Sequence, residues 1–189
     1  MSWKIGVYGS AVVEETYAVT QAKVLGQELG REGATIITGA CSGLPYIALK
    51  EGVAFGSMAI GFSPTRNMAE QRHFTPEDDL ALYNRIEFTP DLPQFDELEV
   101  AKKYRNVIST AYCDAGIIIS GRWGTLHEFC SLVDYGKVVG VLVGTGNIAD
   151  ELSELLKNIQ AKNQTNIVFE KDPVTLVDLI FKALKVRRV

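Results

Sequence analysis

Short apolar runs that end at Gly, Ser or Thr alternate along the chain with longer segments whose apolar residues recur at helical spacing. This alternation is the pattern of βα units feeding a parallel sheet. Strands are expected over residues 4–8, 34–38, 57–62, 85–89, 115–119, 138–143 and 166–169. Helices are expected over about residues 13–31, 44–55, 97–112, 124–135 and 149–160, with a last one from Pro173. In the first helix Tyr17, Ala18, Ala22, Leu25 and Leu29 share a face and Gly33 stands in the stop position. The run Ala115-Gly116-Ile117-Ile118-Ile119 is continuously apolar, the form of a strand buried on both faces. The pattern therefore predicts a three-layer α/β fold with a mostly parallel sheet of six to seven strands.

Residues 63–93 break the rhythm. Within them Thr75-Pro76-Glu77-Asp78 offers an N-cap, a proline at the first helical position and acids in the first turn, which predicts a short helix to about Tyr83. Residues 63–71 read as a long loop, and Arg66, Arg72 and His73 of the irregular segment read as solvated side chains or cover for a ligand. Asp96, with Glu99 three residues on, is the expected cap of the helix over 97–112.

Composition adds bounds. The 189 residues, 47% hydrophobic, form one domain over residues 1–189 that can hold a core without staples. There are 19 basic and 23 acidic side chains, a formal net charge of −4, and the one basic cluster, Lys182, Lys185, Arg187 and Arg188, complements the dipole of a final helix. On that balance a nucleic-acid partner is not expected. Three cysteines without a CxxC pair and only two histidines argue against a disulfide framework and against a metal site. Cys113 and Cys130 fall in apolar patterns and are expected in the core. No signal segment or bilayer-length apolar run is visible, so the expected setting is a reducing cytoplasm without membrane contact.

In an open parallel sheet ligands bind beyond the carboxyl ends of the strands. That rule selects Gly9-Ser10, the turn Thr38 to Gly43 with Gly39, Ser42 and Gly43, the stretch Ser63 to Arg66, and Ser120-Gly121-Arg122-Trp123-Gly124-Thr125. In the last turn Gly121 and Gly124 let backbone N–H groups approach an anion, with the Thr125 hydroxyl and the Arg122 side chain as further contacts. Thr125-Leu126-His127-Glu128 also matches a capping box, in which Thr125 caps the helix and Glu128 folds back onto it. Cys41 and Ser42 read as small residues fitting their turn, and His127 as a solvent-facing or interfacial side chain. Trp123 is a candidate for stacking on a base or for packing against a second subunit. Neither GxGxxG nor GxxxxGK[ST] occurs.

The segment from Arg105-Asn106 through Asp114-Ala115 to Ser120-Gly121-Arg122-Trp123-Gly124-Thr125-Leu126-His127-Glu128 resembles the signature of the Lonely Guy (LOG) family, long labelled lysine decarboxylases. That signature has an Arg-Lys or Arg-Asn pair, an Asp-Ala before a buried strand, and PGGxGTxxE. The turn Thr38-Gly39-Ala40-Cys41-Ser42-Gly43-Leu44 is similar to the family's GGxxGLM. The resemblance implies a Rossmann-like homodimer that binds nucleoside 5′-monophosphates and cleaves their N-glycosidic bond, releasing free base and ribose 5-phosphate. It needs no cofactor, and it places the catalytic pair on Arg105 and Glu128. Ser120 and Arg122 depart from the family's Pro and Gly, and Asn106 replaces its usual Lys, as in the broader relatives that include molybdenum-cofactor carrier proteins. A non-catalytic carrier or sensor of a phosphorylated ligand is therefore the alternative. Lysine decarboxylation is set aside, because no pyridoxal-phosphate lysine motif is present.

Overall fold

A computed structural model describes residues 2–12, 16–159 and 166–187. Seven strands alternate with seven α-helices: β1 (Lys4–Gly9), α1 (Thr16–Arg31), β2 (Thr35–Thr38), α2 (Leu44–Ala54), β3 (Met58–Ser63), α3 (Met68–Phe74), β4 (Arg85–Phe88), α4 (Leu98–Tyr112), β5 (Ala115–Ile119), α5 (Trp123–Asp134), β6 (Val138–Leu142), α6 (Ile148–Asn158), β7 (Ile167–Glu170) and α7 (Pro173–Val186). All strands are parallel, in the order β4-β3-β2-β1-β5-β6-β7. The expected parallel sheet is thus present, with all seven strands. Residues 13–15 of the expected first helix and Gln160 at the end of the sixth lie outside the described residues.

The central strands are buried because helices cover both faces of the sheet. Every residue of β2, β5 and β6 is buried. Side chains alternate between two cores, as the two-residue period of a strand requires. Ile5, Val7, Ile36, Ile117 and Ile119 meet Leu25 and Leu29 of α1, Leu49 of α2, and Leu176 and Ile180 of α7. Tyr8, Ile37, Ile118, Val139 and Val141 meet Phe129 and Leu132 of α5 and Leu152 of α6. The edge strands β4 and β7 are only partly buried.

Three local expectations are corrected. The helix in the irregular segment is α3, which ends at Phe74 instead of beginning after Thr75. Asn67 caps it by accepting the Glu70 N–H at 3.0 Å, and Glu70 accepts the Arg66 N–H at 2.9 Å. Pro76 then pushes Thr75 out of helical geometry, leaving only a 3₁₀ turn at Leu80–Leu82. Asp96 does not cap α4, whose N-cap is Glu97 without a side-chain bond, because Asp96 is drawn into an ion pair with Arg66. Cys113 is buried as expected, but Cys130 is exposed on the outer face of α5.

Among the described residues no helix is long and apolar enough to cross a membrane, and no group of three or more His, Cys, Asp or Glu comes together. The sheet order places the site. The chain leaves β1 through α1 toward β2 on one side and leaves β5 through α5 toward β6 on the other, so the carboxyl ends of β1 and β5 flank a topological switch point.

Candidate functional site

A cleft of about 480 Å³ opens at that switch point. Its walls are the turn after β1 with Gly9 and Ser10, the turn after β2 with Gly39, Cys41 and Ser42, the inner face of α4 with Lys102, Arg105 and Asn106, and the start of α5. The expected site residues Arg122, Gly124, Thr125 and Glu128 also line it. Gly43 and Gly121 do not; they shape the turns behind it.

At the floor two ionisable side chains meet. Arg105, on α4, places Nη1 3.4 Å from Glu128 Oε1 on α5, and only 11% of the arginine side chain and 7% of the glutamate side chain remain exposed. Arg105 Nη2 donates to Cys41 Sγ at 3.3 Å, while its Nε is buried without a hydrogen-bond partner. The guanidinium lies directly on Gly39, where a Cβ would run into it. Glycine at that position therefore makes room for the arginine head. Burial pushes the Glu128 carboxyl up to about 7, against the opposing pull of Arg105 and Lys103. Near neutral pH it is divided between acid and carboxylate, the condition in which a carboxyl exchanges protons most readily. Burial likewise raises the Cys41 thiol, which argues against a thiolate nucleophile there.

The capping-box reading of Thr125 and Glu128 is not realised. Helix α5 begins at Trp123, its N-cap is Arg122 without a side-chain cap bond, and Thr125 is its third residue. Glu128 thus sits in the second turn and faces the cleft instead of the helix end. The first N–H groups of a helix have no acceptor within it; Leu126, the first to find one, donates to Arg122 O at 2.9 Å. The Trp123, Gly124 and Thr125 amides are consequently placed to receive an anion, with the helix dipole behind them.

The turn before α5 is braced from outside the cleft. Ser120 N–H donates to Thr145 Oγ1 at 2.9 Å, Asn147 Nδ2 donates to Ser120 Oγ at 3.0 Å, and the Ile148 N–H donates to Gly121 O at 2.9 Å. Ser120 has φ of 53°, a value the pyrrolidine ring of proline forbids, which explains why serine stands where the LOG pattern has proline. Arg122, at φ −130°, occupies ordinary backbone space, and its side chain is exposed. Glu128 takes Arg105, not Arg122, as its ion-pair partner.

Other expected contacts are already engaged. Ser42 Oγ donates to Asp78 Oδ2 at 2.8 Å, and Ser10 Oγ donates to Val12 O at 2.6 Å. Gly43, at φ 92° and ψ −154°, brings the two turns together, and the Leu44 N–H donates to Ser10 O at 2.9 Å. Arg66 pairs with Asp91 at 3.2 Å as well as with Asp96, and Arg72 and His73 are exposed, so none of the three covers the cleft. His127 lies outside the cleft, 3.5 Å from Asn106 Nδ2. Sequence reasoning missed Lys102 and Lys103, and it took Asn106 only as a member of the motif pair, not as a cleft residue. Their signal was the spacing of Lys102, Arg105 and Asn106, which share a helix face at i, i+3 and i+4.

A seven-stranded parallel sheet with helices on both faces and a ligand-sized cleft at its switch point defines a three-layer α/β, Rossmann-like protein. More narrowly, the chain belongs to the SLOG cluster4 family, whose profile matches residues 2–177. A comparison with curated proteins finds no match. Among solved structures the chain is similar to TM1055, at 19% identity and a TM-score of 0.75, over 96% of this chain and 99% of that one. It is also similar to the molybdenum cofactor binding protein of the phototrophic bacterium Rippkaea orientalis, at 21% identity and a TM-score of 0.72, over 97% and 98% of the two chains. DNA processing protein A of Helicobacter pylori, which binds single-stranded DNA, is similar at 18% identity and a TM-score of 0.68, over 96% of this chain and 81% of that one.

The last likeness corrects one expectation. A protein of this fold binds single-stranded DNA, so the argument that excluded nucleic acid does not hold. Its flaw is physical, because net charge averages over the surface while binding responds to local potential. Here Lys102, Lys103, Arg105 and Arg122 all line one cleft of a chain with net charge −4.

Proposed function

We propose that the cleft binds a nucleoside 5′-monophosphate and hydrolyses its N-glycosidic bond, giving free base and ribose 5-phosphate. The observation that carries this reading is the meeting of Arg105 and Glu128 at 3.4 Å on the cleft floor, with the glutamate carboxyl pushed up to about 7. The phosphate is received by the amides at the start of α5 and by the basic side chains around them. Arg105 holds the sugar phosphate and orients Glu128. As the C1′–N bond breaks, positive charge develops on the ribose ring, and the Glu128 carboxylate opposes it, as acids do in glycoside hydrolysis. Water adds its oxygen to C1′ and gives a proton to the Glu128 carboxylate, and Glu128 passes that proton to the departing base, which restores the carboxylate.

A second reading keeps the ligand and removes the chemistry: a carrier or sensor of a phosphorylated ligand such as a nucleotide or molybdenum cofactor. It is supported by the pairing of Glu128 with Arg105, which serves binding as well as catalysis, and by the likeness to the Rippkaea orientalis protein. One experiment separates the two. Purified protein is incubated with a panel of nucleoside 5′-monophosphates and a short single-stranded DNA while free base and bound ligand are measured, with Glu128→Gln and Arg105→Ala as controls. Base release lost in both variants supports the hydrolase. Tight retention of ligand without base release supports the carrier and overturns the hydrolase.

A further inference from the structure

We infer that Trp123 is the residue that reads the planar heterocycle of the ligand, by stacking its indole on it. This deepens the proposed function and rests on it: the ligand is assigned as a 5′-phosphate that carries an aromatic ring system, not a plain sugar phosphate.

Trp123 is 82% exposed, the highest value among the exposed large apolar residues of the described part of the chain, and it is one of the residues lining the cleft. It is the first residue of α5, a position where tryptophan does nothing for the helix: Arg122 is the N-cap, and no cap bond involves the ring. Among the described residues it has no aromatic neighbour and no cation over its face. The other aromatic rings of the cleft are already committed. Tyr8 is buried in the core of the sheet, and Phe74 is half-buried with the Lys102 ammonium 5.9 Å from its ring centroid. The protein's only other tryptophan, Trp3, packs against the core.

The position gives the ring its meaning. The Trp123 amide is one of the three donors at the start of α5, so a phosphate bound there sits at the base of the same residue whose exposed side chain belongs to the cleft lining. A flat heterocycle joined to that phosphate through a sugar is within reach of the ring. Stacking tolerates many bases, because each has a π-face and none needs a matching hydrogen-bond pattern. The assigned specificity is therefore for the presence of an aromatic ring, not for one particular base.

The test compares binding of a carbocyclic adenosine 5′-monophosphate, which lacks the ring oxygen that assists cleavage, with binding of ribose 5-phosphate. Wild type, Trp123→Ala and Trp123→Phe are titrated by calorimetry, with tryptophan emission and sedimentation recorded in parallel. The expected result is that wild type prefers the nucleotide by roughly 5- to 100-fold, the range one stacked base supplies. Trp123→Ala loses that preference with unchanged affinity for ribose 5-phosphate, Trp123→Phe keeps most of it, and the nucleotide alone quenches the wild-type emission. A preference that survives in Trp123→Ala overturns the inference. So does a change of sedimenting mass with the preference intact, which makes the ring a subunit contact. If wild type binds neither compound, the proposed ligand class itself fails, and this inference fails with it.

Discussion

Replacing Glu128 by glutamine tests the electrostatics of the cleft floor without reference to any ligand. The Glu128 side chain is 7% exposed, and burial lifts its carboxyl from an ordinary 4.5 to about 7. In the unfolded chain the group gives up its proton near the ordinary value. Between the two values the native state holds a proton that the unfolded state has released, so stability falls as pH rises. The group's contribution is fully present below about pH 4.5 and lost once pH has passed about 7. At 1.36 kcal/mol per pH unit, that interval amounts to about 3 kcal/mol. Glutamine is neutral at every pH and shows none of this loss. Burial raises Asp78 and lowers His127, but both are common to the two proteins, so they cancel in the comparison. The assay is thermal or urea unfolding of wild type and Glu128→Gln at pH 5, 6, 7 and 8. From pH 5, where part of the change has already taken place, to pH 8 the stability of the variant relative to wild type rises by about 2.5 kcal/mol, or about 5–10 °C in Tm for a chain of this size. A difference that stays constant with pH refutes the assignment. That constant difference is the outcome if Arg105 holds Glu128 ionised throughout, because the folded and unfolded states then bind nearly the same number of protons over this range.

Three further outcomes follow from the turns. Gly39→Ala puts a methyl group where the Arg105 head lies, so it weakens binding of a phosphorylated ligand by roughly 10- to 100-fold, the worth of one charge-assisted contact, and moves Tm by only a few degrees; calorimetry and a melting curve check both halves. Gly43→Ala forces an L-residue to φ 92° and ψ −154° and drives its Cβ into the backbone of Ser10 and Ala11, so it lowers stability by about 2 kcal/mol or more in urea unfolding. Asn67→Ala removes the cap of α3 and costs about 1 kcal/mol, with no change in ligand affinity because Asn67 does not line the cleft.

The strands and most helices were legible because each is a continuous apolar run or a clean amphipathic stripe. Only elements whose ends compete were misread. Asn67-Met68-Ala69-Glu70 and Thr75-Pro76-Glu77-Asp78 both carry start signals within nine residues; the first won because its side chains make the capping bonds. Glu128 was ambiguous for a related reason. Thr125 and Glu128 have capping-box spacing, but the box needs the helix to start at Thr125, and it starts at Trp123. Cys130 read as core because Phe129 and Leu132 flank the same stripe, and one position of rotation puts its thiol outside. Arg105 and Glu128 were picked out by resemblance alone. No local spacing foretells that residues 23 apart meet across two helices, with Gly39 leaving room for the arginine head.

The central claim is that the Arg105–Glu128 floor and the start of α5 together form a site for a nucleoside 5′-monophosphate. Calorimetric titration of adenosine 5′-monophosphate into wild type and Arg105→Ala at pH 7 tests it most directly. Saturable one-site binding in wild type, weakened at least tenfold in Arg105→Ala with the variant still folded, is the predicted result. Equal affinity in both proteins, or no binding in wild type, contradicts it.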